Sequence, residues 1–178
     1  HSLETYLMKN SWKISTVTEA FMEHINKANG IEMDKITFLP NGADTNFLKP
    51  LPPNEDVLSK WDIKNKKIFL YVGTHAFYHG LDVIVETASL LKNNEEILFL
   101  MIGDGPERKR IIKKADTLKL NNMKFEQSPY NEMAELYSIA YASIACLKNI
   151  NVATQMRLSK IFPSLSCEVP VIYAGKGE

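Results

Sequence analysis

Apolar residues follow two alternating rhythms along this chain. Short continuous runs, "KIFLYVG" (67–73), "EILFLMIG" (96–103), "ASIACL" (142–147) and "VPVIYAG" (169–175), read as strands, the first two as buried ones. Between them lie stretches with helical spacing. In "LDVIVETASLLKNN" (81–94) Leu81, Ile84, Val85, Ala88 and Leu91 share one face. "PERKRIIKKADTLKL" (106–120) predicts a helix with Pro106 in its first turn and Asp104 or Gly105 as its cap. "MKFEQ" (123–127) reads as a short strand and "NEMAELYSIAY" (131–141) as a helix. An earlier series comprises the strand "ISTVT", the helix "TEAFMEHINKANG" closed by Gly30, and the strand "KITFLP" running into the turn "PNGAD". Repeated strand–helix units predict an α/β fold, a Rossmann-like parallel sheet with helices on both faces. The stretch "KPLPPNEDVLSKWDIKNK" (49–66), rich in Pro, Asn and charge, reads as a linker. It puts a domain boundary near residue 50, with 1–50 and 51–178 as the two parts.

Composition narrows the class. The 178 residues are 45% hydrophobic and 24% charged, values of a globular chain. Acidic and basic residues balance at 21 each, so no nucleic-acid footprint is present. Cys146 and Cys167 sit in apolar runs and read as buried, reduced thiols, which favours the cytoplasm. No apolar run approaches the ~20 residues of a membrane span. The chain opens on "HSLETYLM" without a Met, His1 reads as a tag remnant, and the C-terminal "AGKGE" follows a strand. The expectation is a fragment of a longer protein.

In a parallel sheet, ligands bind at the carboxyl ends of the strands. The loop "GTHAFYHG" reads either as a βα connection with two surface histidines or as a phosphate cradle of backbone N–H groups and a histidine. In "GDGPER" two glycines permit close approach by a ligand, though a helix start needs the same residues. Arg157 and Lys160 stand three apart before the apolar stretch "IFPSLS". Proline is best tolerated in a first helical turn, so Pro163 predicts a helix starting at or shortly before it, with Lys160 at its mouth.

Taken in order, "STVTEAFMEHI", "KITFLPNGADTNFLKP", "YVGTHAFYHGLDVIVETASLL", "FLMIGDGPERKRI", "NNMKFEQSPYNEMAELYSIAYASI" and "SKIFPSLSCEVPVIYAG" resemble family 4 of the retaining glycosyltransferases, of the two-domain GT-B architecture. The resemblance is nearest to enzymes that build bacterial surface polysaccharides. It implies that the second part is a truncated nucleotide-sugar-binding half and the first the tail of the acceptor-binding half. The fragment alone would be inactive. A sugar would pass from a UDP- or GDP-linked donor to a polysaccharide or lipid-linked acceptor bound through the missing half. Neither metal nor cofactor is implied, and no nucleic acid. The setting would be the cytoplasm, with peripheral association of the full-length protein at the inner membrane face.

By the same resemblance, Lys160 and His79 act on the departing diphosphate. Gly73, Thr74, Gly103, Gly105, Gln127, Ser128, Arg157 and Ser159 join Lys160 in holding the nucleotide, with Gln127 and Ser128 beside the base. Cys146 to Ile150 leads to the sugar-facing loop. Three positions depart from the family pattern. His79 replaces a more usual fixed cation, so binding is expected to weaken as His79 titrates near ~6.5. Gln155 and Pro163 occupy the places of two glutamates, the second of which grips the ribose; the expectation is that this grip is lost, so that a ribonucleotide and its 2′-deoxy form bind alike, the alternative being that Glu168 or Glu178 has taken it over. Glu168 itself stands where a glycine is usual. A nucleotide-sugar epimerase or hydrolase would need a carboxylate base near the sugar, and no paired carboxylates converge in these loops. A non-catalytic nucleotide-sugar-binding module is the other alternative.

Overall fold

A computed structural model describes residues 2–150 and 156–176. The chain divides into two compact units. One comprises 1–42, 149–157 and 176–178, and the other 43–148 and 158–175.

In the first unit, helix α1 (Ser2–Asn10) precedes strand β1 (Ile14–Thr16), helix α2 (Glu19–Asn29) and strand β2 (Ile36–Phe38). β1 and β2 pair in parallel. The Thr18 hydroxyl accepts from the Phe21 N–H at 3.1 Å, and Gly30 ends the helix with φ 64°, the left-handed turn expected of it. Ile25, Ile31 and Ile36 make a small core.

The second unit holds a five-stranded sheet. Its strands are β3 (Lys67–Val72), β4 (Ile97–Ile102), β5 (Met123–Glu126), β6 (Ala142–Cys146) and β7 (Val171–Ala174). The order is β5-β4-β3-β6-β7 and every pairing is parallel, as the alternating pattern predicts. The helices are α3 (Glu55–Lys60), α4 (Asp82–Leu90), α5 (Arg108–Thr117), α6 (Met133–Ser138) and α7 (Ile161–Ser166). Strand alternation splits the buried residues into two cores. Ile68, Leu70, Leu98, Leu100 and Ile102 join α3 and α6 residues in one. Tyr71, Phe99, Met101, Ile144 and Cys146 join α4 and α5 residues in the other. Both sheet faces are therefore covered.

Two expectations need correction. The stretch 49–66 is not a linker: it contains α3, whose N-terminus is capped by Asn54 Oδ1, accepting from the N–H groups of Asp56 and Val57 at 3.0 and 3.1 Å. Val57, Trp61 and Ile63 bury into the core, and so does Leu48. The boundary near residue 50 thus falls inside this unit. Pro106 also lies just outside α5, which starts at Arg108 after Glu107, and neither Asp104 nor Gly105 caps it. Among the described residues no helix is long and apolar enough to cross a membrane.

Candidate functional site

Strand order reverses at β3, which has β4 on one side and β6 on the other. The crevice between the carboxyl ends of β3 and β6 is therefore the topological switch point, where such sheets bind ligands. Gly73 ends β3 with φ 148°, and Gly103 and Gly105 follow β4 with φ 134° and 149°. The N–H of Gly73 donates to the Ile102 carbonyl, that of His75 to Asp104, and that of Glu107 to His75. A Cβ on Gly103 would lie 2.1 Å from the Gly73 carbonyl oxygen, and one on Gly105 2.7 Å from that of His75. These contacts give both glycines a role within the chain's own backbone. The two glycines admit the chain's own 73–75 bend, and two N–H groups of the supposed cradle are spent in holding it. Among the described residues none accepts from the Thr74 N–H, and Thr74 is exposed.

Lys160 immediately precedes α7, and Pro163 is the third helical residue, where its missing N–H costs nothing. The half-buried Lys160 ammonium donates to Tyr71 Oη at 2.8 Å and lies 3.5 Å from both ring nitrogens of His79. Tyr71 Oη in turn donates to the Thr74 carbonyl at 2.8 Å. A Cβ on Gly73 would sit 3.1 Å from the ammonium, so the glycine leaves room for it. Burial pushes the Lys160 amine down to about 8, partly opposed by Cys146. Among the described residues no carboxylate forms an ion pair with it. With only six residues, α7 adds little dipole; the ammonium itself supplies the positive charge.

The loop histidines are not on the surface. His79 is 5% exposed, and burial, then the Lys160 charge, push it down to about 4. It is neutral at neutral pH, so the expected titration near ~6.5 gives way to one far more acidic. His75 is fully buried and its ring nitrogens have no partner among the described residues. Burial, then Arg108, push it down to about 4 as well. Tyr71 escaped the sequence reading, because a Tyr inside an apolar run looks like ordinary core.

The remaining expected residues fall in three places. Gln127 Nε2 donates to the Asp104 carboxylate at 2.9 Å, which ties the loops after β4 and β5, and the Ser128 hydroxyl donates to Glu132. Ser159 is exposed beside Lys160. Arg157 belongs to the first compact unit, with its guanidinium carbon 5.9 Å from the Phe38 ring centroid. In the loop after β6, expected to lead to the sugar, Lys148 donates its N–H to the Tyr78 carbonyl at 2.8 Å and sets its ammonium 3.2 Å from the Phe77 ring centroid. Glu168 follows the C-terminal end of α7 at φ 58°. Gln155 and Glu178 lie outside the described residues.

Residues 54–173 match the model of the family described as glycosyl transferases group 1. The chain is 31% identical over 123 residues to the putative colanic acid biosynthesis glycosyl transferase WcaI of Escherichia coli K12, covering 66% of this chain and 29% of that protein. It is similar in fold to a glycosyltransferase from Rickettsia africae (TM-score 0.79, 22% identity, 99% of this chain and 48% of that one). It is equally similar to Anabaena HepE solved with UDP-glucose (TM-score 0.79, 16% identity, 99% and 48%). WaaG, a glycosyltransferase involved in lipopolysaccharide biosynthesis, superposes at TM-score 0.75, with 20% identity over 90% of this chain and 44% of that one. The chain thus spans about half the length of these solved structures and under a third of the curated relative.

Proposed function

Because the chain belongs to the glycosyl transferases group 1 family, we propose that it carries the donor site of a glycosyltransferase using a UDP- or GDP-linked sugar. The sugar passes to a polysaccharide or lipid-linked acceptor with retention of anomeric configuration. The second compact unit is the donor-binding part, and the segment before it belongs to the acceptor-binding part. One observation carries the reading: a half-buried ammonium with no carboxylate partner among the described residues stands at the sheet's switch point. An ammonium so placed is satisfied by an anion brought by the ligand. When the bond from the anomeric carbon to the diphosphate oxygen breaks, its electron pair stays on the diphosphate. Lys160 and the Thr74 N–H are the groups of this chain that meet that charge. HepE, which has this fold, was solved with UDP-glucose, and this supports the donor class.

The test is a thermal-shift panel of UDP-, GDP- and ADP-sugars. A ligand at a hundred times its Kd stabilises by about 2.7 kcal/mol. A UDP- or GDP-sugar should raise Tm well above the effect of its free sugar or nucleoside at equal concentration. Equal shifts for nucleoside and nucleotide sugar, or none for any nucleotide sugar, would contradict the assignment.

A further inference from the structure

We propose that Tyr71 is a positioning residue of this site, its hydroxyl coupling the Lys160 ammonium to the Thr74 carbonyl so that cation and 73–75 bend face a diphosphate together. The inference rests on the donor-site reading above. Tyr71 is fully buried within the core formed with α4 and α5, where a phenylalanine would supply the same ring. What the hydroxyl adds is polar. A buried hydroxyl costs free energy unless it is bonded, and this one both donates and accepts. Its two partners come from separate places in the chain, the loop after β3 and the residue before α7.

The surroundings of the ammonium explain why that bond matters. A lysine stem is flexible, and Gly73 presents no side chain to confine it. The titratable groups facing Lys160 are Tyr71 from β3, His75 and His79 from the following loop, and Cys146 from β6. Burial pushes Tyr71 upward and Cys146 up to about 11, and both histidines down to about 4, so all four are neutral at pH 7. The Tyr71 hydroxyl is the nearest acceptor at 2.8 Å, against 3.5 Å for the His79 nitrogens. Removing it disfavours the charged amine and frees the stem.

Tyr71→Phe tests this, using whichever of UDP and GDP the wild type binds more tightly, with the matching nucleoside as control. Calorimetry across pH 6–10 should show the diphosphate bound roughly three- to thirtyfold more weakly than by wild type at pH 7. The loss of affinity at high pH should begin at lower pH than in the wild type, and nucleoside binding should stay within about twofold. Unchanged diphosphate affinity with an unchanged pH profile would overturn the proposal. So would equal losses for nucleoside and diphosphate, the behaviour of a packing residue. Lys160→Ala, run in parallel, separates the two levels. If it binds diphosphate like wild type, the donor-site reading fails. If it loses affinity while Tyr71→Phe does not, only the role of Tyr71 fails.

Discussion

Raising the pH should release the nucleoside diphosphate through Lys160 and not through a histidine. The Lys160 amine is held at about 8, so in the free protein it is charged at pH 7 and neutral by pH 9. A charge-assisted bond to phosphate contributes about 1.5–3 kcal/mol. At 1.36 kcal/mol per pH unit, the bound amine should titrate roughly one to two units higher, at about 9–10. Affinity should therefore be constant from about pH 7, where the phosphate is already ionised, to about pH 8. It should then fall by up to tenfold per pH unit, and level off at the value of Lys160→Ala. His79, held at about 4, stays neutral throughout. Calorimetry in two buffers of different ionisation enthalpy measures both the affinity and the protons taken up on binding. A fall centred near ~6.5 that disappears in His79→Gln would make the histidine the cation and refute the argument.

Four substitutions should change stability in directions that the local backbone and burial set. Gly103→Ala puts a Cβ 2.1 Å from the Gly73 carbonyl oxygen at φ 134°, and should cost about 3–5 kcal/mol in urea unfolding. Gly30→Ala, at φ 64° in open space, should cost only about 1–2 kcal/mol; equal losses would show that the loop contact is not tight. Glu168→Gly should stabilise by about 1 kcal/mol, since Glu168 holds φ 58° just past the end of α7; a loss of stability would assign its side chain a role. Lys160→Met should be more stable than wild type at pH 7 by up to about 3 kcal/mol, while losing its grip on diphosphate. The unfolded chain binds more protons than the folded one between pH 8 and the ordinary lysine value of 10.5, so wild-type stability rises with pH through that window and the gap closes. A variant less stable than wild type at pH 7 would mean that the ammonium is well solvated.

The sheet was legible because its strands are continuous apolar runs and its helices keep one apolar face. α3 was not, since the prolines and charges around 49–56 mask the apolar positions Val57 and Trp61, and only Asn54 signals a cap. Lys160 could be found from sequence, because Pro163 fixes where α7 begins. Its partners could not. The bond to Tyr71 spans 89 residues and depends on β3 lying beside β6. The glycines of "GDGPER" were recognisable as special, but not which backbone approaches them: that follows from the register of β3 against β4, which sets Gly73 beside Gly103. The histidines show the same limit, since burial and not composition decides their charge.

The proposed donor site turns on the grip of Lys160 on the diphosphate of a nucleotide-sugar donor. Its most direct test compares UDP or GDP with the matching nucleoside, on wild type and Lys160→Ala, by calorimetry at pH 7. Loss of the charged contact should weaken diphosphate binding by roughly ten- to a hundredfold and leave the nucleoside within about twofold. Equal losses for nucleoside and diphosphate, or no loss for either, would contradict it.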